Sequence, residues 1–173
     1  MRSALRTSLA LAAALVLVAL GASLCHFLGG GAVSLALPVP VVVWLGLEAG
    51  LVDGAFAAAA VGLVLDSAAG GPGGLLTFLS VALFLGSRAA AGAFDARSSL
   101  GFALLSGAAT FAFGVGALLL LRYVAPAEEA PRLGLVGRVL GEAVLTAFAA
   151  PALRLLLDRL SAPMRREDPG LLR

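Results

Sequence analysis

The sequence predicts an all-α, polytopic integral membrane protein with about six transmembrane helices. Of its 173 residues, 61% are hydrophobic and 13% are charged, and the mean hydropathy is +1.05. These values lie outside the range of soluble domains. Apolar runs recur along the chain, and a run of about 20 residues crosses a hydrocarbon core of about 30 Å. Residues 1–160 therefore form one predicted membrane domain, and residues 161–173 form a polar cytoplasmic tail that we expect to be disordered.

The first predicted helix covers residues 7–28 and follows Arg2 and Arg6. Two arginines ahead of an apolar run are also typical of a secretory signal peptide, and cleavage after Gly21 would fit that alternative. The apolar run continues to Leu28, beyond a typical signal core. An uncleaved transmembrane helix is therefore the favoured interpretation.

The second and third predicted helices form a hairpin with almost no loop. The second helix is predicted at 35–51, where Pro38 and Pro40 open the segment. Prolines cost little at a helix start because the N–H groups that they lack would be unpaired there. Asp53 is predicted to mark the turn, and the third helix is predicted at 53–69.

Three more apolar segments complete the predicted domain. The fourth and fifth helices are predicted at 75–91 and 100–124, and the sixth at 133–160, after a proline-bounded acidic loop at 125–132. Pro151 lies inside the sixth helix and removes one backbone hydrogen bond. We expect it to kink this helix.

The distribution of arginine predicts the orientation. All twelve basic residues are arginine, and the net charge of +2 is too small to suggest nucleic-acid binding. With six helices and a cytoplasmic N-terminus, nine arginines face the cytoplasm and three face the outside, so the positive-inside rule favours this N-in, C-in topology. The outer arginines are Arg122, Arg132 and Arg138.

One stretch joins a carboxylate to a glycine-rich turn. Residues 62–74 read GLVLDSAAGGPGG, with Asp66 at the end of the third helix and Pro72 and Gly74 in the turn. An ionised group at a bilayer edge is costly and usually has a partner or a task. Two interpretations stay open. Asp66 is either hydrated or bonded to backbone N–H groups of the following turn, or it is a fixed contact point with another helix or another protein.

The chain offers little for catalysis or for a cofactor. The single histidine, His26, adjoins the single cysteine, Cys25, with no carboxylate near them in sequence, so we expect no metal site. Asp53 and Asp66 lie about 20 Å apart along one predicted helix and cannot share a proton. We therefore expect a protein that is not an enzyme and has no cofactor.

Several pairs at helical spacing predict local contacts. Charges one turn apart predict ion pairs at helix ends, and glycines four residues apart match the spacing that lets transmembrane helices approach closely. The charged pairs are Arg138 with Glu142 and Arg154 with Asp158, and the glycine pairs are Gly50/Gly54, Gly70/Gly74 and Gly137/Gly141. A turn is the better explanation of the pair Gly70/Gly74.

With these features placed, the chain resembles the MreD family of bacterial rod shape-determining proteins. The resemblance rests on its length, on the proline-led segment LPVPVVVWLGL, and above all on GLVLDSAAGGPGGLLTFLSVALF. In that stretch Asp66 is followed by Pro72 after six positions and by Gly74 after eight. The ending PALRLLLDRL, which begins at Pro151, is also similar. Acidic residues stand where the family leads one to expect a basic turn between the second and third helices.

This resemblance implies a non-enzymatic subunit of the bacterial inner membrane that belongs to the cell-wall elongation machinery and helps to maintain cell shape. The implied partners are MreC, the RodA glycosyltransferase with a class B penicillin-binding transpeptidase, and indirectly MreB. Asp66, Pro72 and Gly74 would shape an outer-face turn that contacts a partner. The alternative is the solute-binding membrane subunit of an energy-coupling vitamin importer, which is also a six-helix chain. The sequence has no Asn or Gln, which disfavours this alternative because solute specificity needs well-placed polar groups.

Overall fold

A computed structural model of the protein describes residues 37–69, 73–92, 98–124 and 135–165, with side chains up to residue 159 in the last range. The described residues form five α-helices and no strand. The helices are α1 (Pro38–Glu48), α2 (Leu51–Ala69), α3 (Leu75–Ala90), α4 (Ser99–Val124) and α5 (Val136–Arg165). They correspond to the second to sixth predicted helices. The first predicted helix, Pro72 and the predicted acidic loop lie outside the described residues.

Three of these helices are long and apolar enough to cross a membrane, namely α2, α4 and the part of α5 within Val136–Arg159. The protein is thus a helical membrane protein. Helices α1 and α3 are apolar but shorter, with 11 and 16 residues. At 1.5 Å per residue, α1 is only about 16 Å long, which is about half of the hydrocarbon thickness.

Several predicted boundaries were wrong by a few residues. Helix α1 begins at Pro38 and is shorter than the predicted segment, and α2 begins at Leu51. Asp53 therefore lies in the first turn of α2 and not in the connection. A carboxylate is favourable at that position because it faces the positive end of the helix dipole. The connection itself consists of Ala49, in extended conformation, and Gly50.

Helix α5 also departs from the prediction. It continues to Arg165, so residues 161–165 are helical although they were assigned to the disordered tail. Each further residue of a formed helix adds one backbone hydrogen bond, so a helix need not stop where its apolar sequence stops. Pro151 lies inside this helix, and the residues on both sides of it are helical.

Helix α1 is the centre of the fold. It contacts all four other helices, which pack on one another in chain order and so form an arc α2–α3–α4–α5 around it. The two ends of the arc, α2 and α5, pack on α1 and on their own neighbours and hardly on each other. Most of α1 is buried, namely Pro38, Val39, Pro40, Val41, Val42, Val43, Leu45 and Gly46.

The arc consists of two tightly packed antiparallel hairpins, α2–α3 and α4–α5. The connections α1–α2 and α3–α4 lie at one end of the bundle, which we call the Trp44 end. The connections α2–α3 and α4–α5 lie at the other end, the Asp66 end. Large apolar side chains cover the outside of the bundle, including Phe56, Phe78, Leu104 and Phe148, as expected of surfaces that face lipid.

Glycines let the helices of each hairpin approach closely. A Cβ on Gly54 or Gly62 of α2 would overlap atoms of α3, and a Cβ on Gly107 of α4 would lie 2.9 Å from the Ala147 Cβ of α5. Small residues at helix interfaces have this effect in membranes. Of the predicted glycine pairs, Gly50/Gly54 contributes one of these contacts through Gly54, whereas Gly62 and Gly107 belong to no predicted pair. A Cβ on either glycine of the pair Gly137/Gly141 would meet nothing within 4 Å.

Candidate functional site: the Asp66 hairpin

The carboxylate of Asp66 joins the end of α2 to the start of α3. Its Oδ2 accepts hydrogen bonds from the backbone N–H groups of Gly74 and Thr77, both at 3.0 Å, and from the Thr77 hydroxyl at 2.6 Å. Its Oδ1 accepts a bond from the Leu76 N–H at 2.8 Å. One half-buried side chain thus receives four hydrogen bonds from the first turn of the next helix.

These bonds satisfy the backbone at a helix start. The first N–H groups of a helix have no partner within it, and a Ser, Thr, Asp or Asn at the N-cap usually accepts from one of them. The N-cap of α3 is Gly74, which has no side chain and adopts a left-handed conformation with φ of +94°. Glycine adopts such a conformation without steric cost. Asp66 supplies the missing acceptor from eight residues earlier and places its negative charge at the positive end of the helix dipole.

Gly62 brings the two helices close enough for these bonds. It lies one turn before Asp66 on α2, and a Cβ at this position would overlap the Thr77 backbone and lie 2.9 Å from the Leu76 carbonyl oxygen. Sequence analysis did not assign a role to Gly62 or Thr77. A signal was present, because Gly62 lies four residues before Asp66 and therefore on the same helix face.

The structure answers part of the prediction for this motif. The interpretation in which Asp66 bonds to backbone N–H groups of the following turn is confirmed, and Gly74 belongs to the same arrangement. Asp66 also contacts another helix, which is α3 of its own chain. Pro72 lies outside the described residues, and Pro151 lies on α5 in the other hairpin. Contact of these residues with a partner protein stays a prediction.

A second polar cluster lies at the Trp44 end and joins α5 to α1 and α4. The indole N–H of Trp44 donates to Oδ1 of Asp158 at 3.2 Å, and Arg154 pairs with Asp158 at 3.5 Å, as predicted. Arg154 also donates to the Ser98 carbonyl at 3.1 Å and lies 5.3 Å from the ring centroid of Phe102. The sequence predicted only the local ion pair. A tryptophan N–H in an apolar segment usually has a partner, but nothing local identified Asp158 as that partner.

Two further charged contacts lie at helix ends. Arg88 of α3 donates to the Ala49 carbonyl at 2.8 Å, and this carbonyl follows the last residue of α1. A cation is favourable beside the C-terminal carbonyls of a helix. The predicted pair of Arg138 and Glu142 is confirmed at 3.6 Å.

Buried hydroxyl groups divide into two classes. Thr110 and Ser87 donate to the backbone carbonyl four residues earlier, at 2.8 and 2.7 Å. Ser80, Ser106 and Thr146 are buried, and their hydroxyl groups have no hydrogen-bond partner among the residues that the structure describes. No group of three His, Cys, Asp or Glu side chains among the described residues could hold a metal ion.

No protein-family model, curated protein or solved structure matches this chain. The geometry therefore carries the functional argument. At the Asp66 end, a carboxylate, a glycine in the left-handed conformation and a close backbone approach fix the start of α3 against the end of α2. This arrangement can hold the ends of these two helices in a defined relative orientation.

Proposed function

We propose that the protein is a non-enzymatic subunit of the bacterial inner membrane that supports cell-wall elongation and cell shape. Its proposed partners are MreC and RodA with a class B penicillin-binding transpeptidase, and indirectly MreB. The Asp66 hairpin is the observation that carries this proposal. The motif behind the family resemblance places Asp66 and Gly74 eight positions apart, and in the structure these two residues meet. The spacing therefore has a physical reason in this chain, which supports the proposal.

The proposal includes six transmembrane helices with both termini in the cytoplasm. The sixth helix is the predicted one at 7–28, ahead of the five described. Among the described residues, Arg88, Arg154 and Arg159 lie at the Trp44 end, which would face the cytoplasm. The Asp66 end carries Arg122 and Arg138 and would face outward. The full arginine count supports the same orientation.

The short helix α1 is compatible with this topology. A helix in contact with lipid must match the hydrocarbon thickness, or the bilayer must adapt at some cost. Helix α1 is buried at most of its positions and packs against four longer helices. Its length is therefore set by packing within the bundle and not by the bilayer.

In this role the Asp66 hairpin holds an outward-facing turn in a fixed orientation for contact with partner proteins. The apolar outer faces of the helices provide surface for partner transmembrane helices. The side chains of Phe56 and Phe78 are examples, and they are 72% and 64% exposed. Such a role needs no chemical step, because it consists of positioning other proteins relative to one another.

The test is co-purification from native membranes. The chain carries a C-terminal tag, the membranes are extracted in mild detergent, and captured proteins are identified by mass spectrometry. We expect MreC, RodA or the transpeptidase to be recovered. Capture of a transmembrane coupling protein with paired ATPases would contradict the proposal and favour the vitamin importer.

Two variants make this test specific to the hairpin. Asp66→Ala removes the carboxylate that caps α3, and Asp53→Ala removes an exposed carboxylate from the other end of the same helix. At equal membrane abundance, we expect Asp66→Ala to reduce partner recovery several-fold and Asp53→Ala to leave it unchanged. Equal recovery of partner proteins with both variants would show that the Asp66 turn is not part of the surface that contacts them.

A further inference from the structure

We propose that the predicted helix at residues 7–28 packs into the opening of the arc, between α2 and α5, and closes a six-helix bundle around α1. This inference rests on the proposed six-helix topology and is independent of the proposed partners. It assigns an occupant to the one side of α1 that the arc leaves open.

The packing order locates the opening. The helices α2, α3, α4 and α5 contact one another in sequence and all contact α1, whereas α2 and α5 hardly contact each other. The gap in the arc therefore lies between these two helices, with α1 behind it.

The burial pattern of α1 locates the same side independently. Four positions from Leu37 to Glu48 are not fully buried, and one of them, Leu47, packs against the core cluster around Phe102. The other three are Leu37, Trp44 and Glu48. Their spacings of seven and four residues place them on one stripe of a helix. The indole of Trp44 donates to Asp158 of α5, so this stripe borders α5 as the packing order requires.

Lipid is a poor occupant of this opening. Helix α1 begins at Pro38 and is about 16 Å long, so its first turn lies near the middle of the proposed membrane. Within that turn Pro38 and Pro40 have no N–H, and the backbone N–H of Val39 has no partner within the helix. Unpaired backbone groups are not tolerated in hydrocarbon, so irregular or terminal backbone at this depth must be enclosed by protein.

The preceding chain has the length and the attachment point to be that protein. The predicted helix of 22 residues would be about 33 Å long. Residues 29–36 then connect it to Leu37, and eight extended residues reach up to about 26 Å. That distance is enough to return from the membrane surface to the mid-depth start of α1. The connection ends at Leu37, directly before α1, and α1 lies behind the opening.

The two walls of the opening suit such a helix. On α5, Leu145, Ala149 and Leu156 share one stripe beside the core residues Leu153 and Leu157, and Leu145 and Leu156 are 40% and 49% exposed. On α2, Ala60 and Val64 are half-buried next to the core residue Ala57. Small residues on both partners allow close helix packing, and the predicted helix is rich in alanine and leucine.

Cysteine cross-linking tests the placement, because Cys25 is the only cysteine of the chain. Leu145→Cys places a thiol on the α5 wall of the opening. Ala108→Cys is the matched control, since Ala108 is exposed on α4. It lies at the same depth as Leu145, because its neighbour Gly107 packs against Ala147.

The second thiol lies on the predicted helix at 7–28 and is placed in turn at four consecutive positions, so that it samples every face of that helix. The first position is the native Cys25. The other three are introduced in a Cys25→Ala background as Ala22→Cys, Ser23→Cys or Leu24→Cys. A short bis-maleimide couples the thiols in native membranes. A protease site in the connection at 93–97 then separates the two halves of the chain unless they are cross-linked.

We expect at least one of the four positions to link to Leu145→Cys, with a yield at least about tenfold above its link to Ala108→Cys. Equal yields, a preference for Ala108→Cys or no link in any pair would overturn the placement. A linked dimer of full chains would assign the opening to a second copy and would also overturn it. Loss of an N-terminal tag from the mature protein would overturn the six-helix topology itself. None of these readouts depends on MreC or RodA.

Discussion

The two hairpins of the arc use the same close packing but place their polar bonds at opposite ends. In α2–α3, the hydrogen bonds of Asp66 lie at the turn between the two helices. In α4–α5, the bonds of Arg154 and Asp158 lie at the far end from the connection, where the hairpin meets α1. The first hairpin is therefore locked within itself at its turn and also bonded to the end of α1 through Arg88, whereas the second is locked to the rest of the bundle. We expect substitutions in the two regions to fail in different ways.

The largest expected effect comes from the close approach in α2–α3. Gly62→Ala places a Cβ where the Thr77 backbone lies, so the helices must separate and the Asp66 bonds must lengthen. Overpacking of this kind costs about 1–3 kcal/mol, and we expect a value near the upper end of the range. The decrease in the free energy of unfolding, measured in mixed detergent, gives this cost.

Gly137→Ala is the matched control for this substitution. A Cβ at Gly137 meets nothing within 4 Å, and alanine stabilises a helix interior by up to about 1 kcal/mol relative to glycine. We expect this variant to be neutral or slightly stabilised. If both variants lose the same stability, the loss belongs to glycine substitution in general and not to the hairpin.

The carboxylate of Asp66 should give the next largest effect. Asp66→Ala leaves the first N–H groups of α3 without their acceptor, and we expect a loss of about 2 kcal/mol of unfolding free energy. The rate of hydrogen exchange in detergent should increase at residues 74–77 and should change little in α4–α5. Asp66→Asn keeps an acceptor oxygen and should lose less. Increased exchange across both hairpins would show that α2–α3 is not locked within itself.

Trp44→Phe tests the other hairpin. It removes the indole N–H that donates to Asp158 while keeping an aromatic ring, and a hydrogen bond of this kind contributes about 1 kcal/mol. We expect α5 to loosen from α1 at the Trp44 end, with the Asp66 turn unchanged by hydrogen exchange. Tyr123→Phe is the control, because Tyr123 is 91% exposed at the end of α4. A change in hydrogen exchange that is confined to the Asp66 turn would contradict the conclusion that the bond between Trp44 and Asp158 joins α5 to α1.

The smallest expected effect separates the two classes of hydroxyl group within α3. The Ser80 hydroxyl is buried without a partner, so Ser80→Ala removes a desolvated group and should raise stability by up to about 1 kcal/mol. The Ser87 hydroxyl donates to the Leu83 carbonyl, so Ser87→Ala should be neutral or slightly destabilising. Thermal unfolding in detergent distinguishes these directions. A clear loss with Ser80→Ala would mean that this hydroxyl has a partner in the membrane, such as a buried water.

Much of the Asp66 hairpin could be predicted from the sequence because its parts are close in the chain. Asp66 and Gly74 are eight residues apart, and a carboxylate ahead of a glycine-rich turn made backbone bonds one of the two interpretations. The ion pairs of Arg138 and Arg154 followed from the spacing of one helical turn. The bond between Trp44 and Asp158 could not be found in this way, because 114 positions separate the two residues. Glycine spacing also failed for Gly137 and Gly141, because spacing does not say which face of a helix meets another.

The sequence by itself determined the helical membrane class, the approximate position of the five described helices and the local ion pairs of Arg138 and Arg154. These features depend on the length of apolar runs, on proline and glycine breaks and on contacts within a few residues. Only the tertiary structure decided that the short helix α1 lies at the centre, that two hairpins form an arc around it, and that Gly54 and Gly62 face α3. The helices α2 and α4 are apolar on nearly every side, so no amphipathic stripe reveals their buried face. Their arrangement is set by shape, through the fit of small residues against larger neighbours, and that fit exists only once the helices are packed.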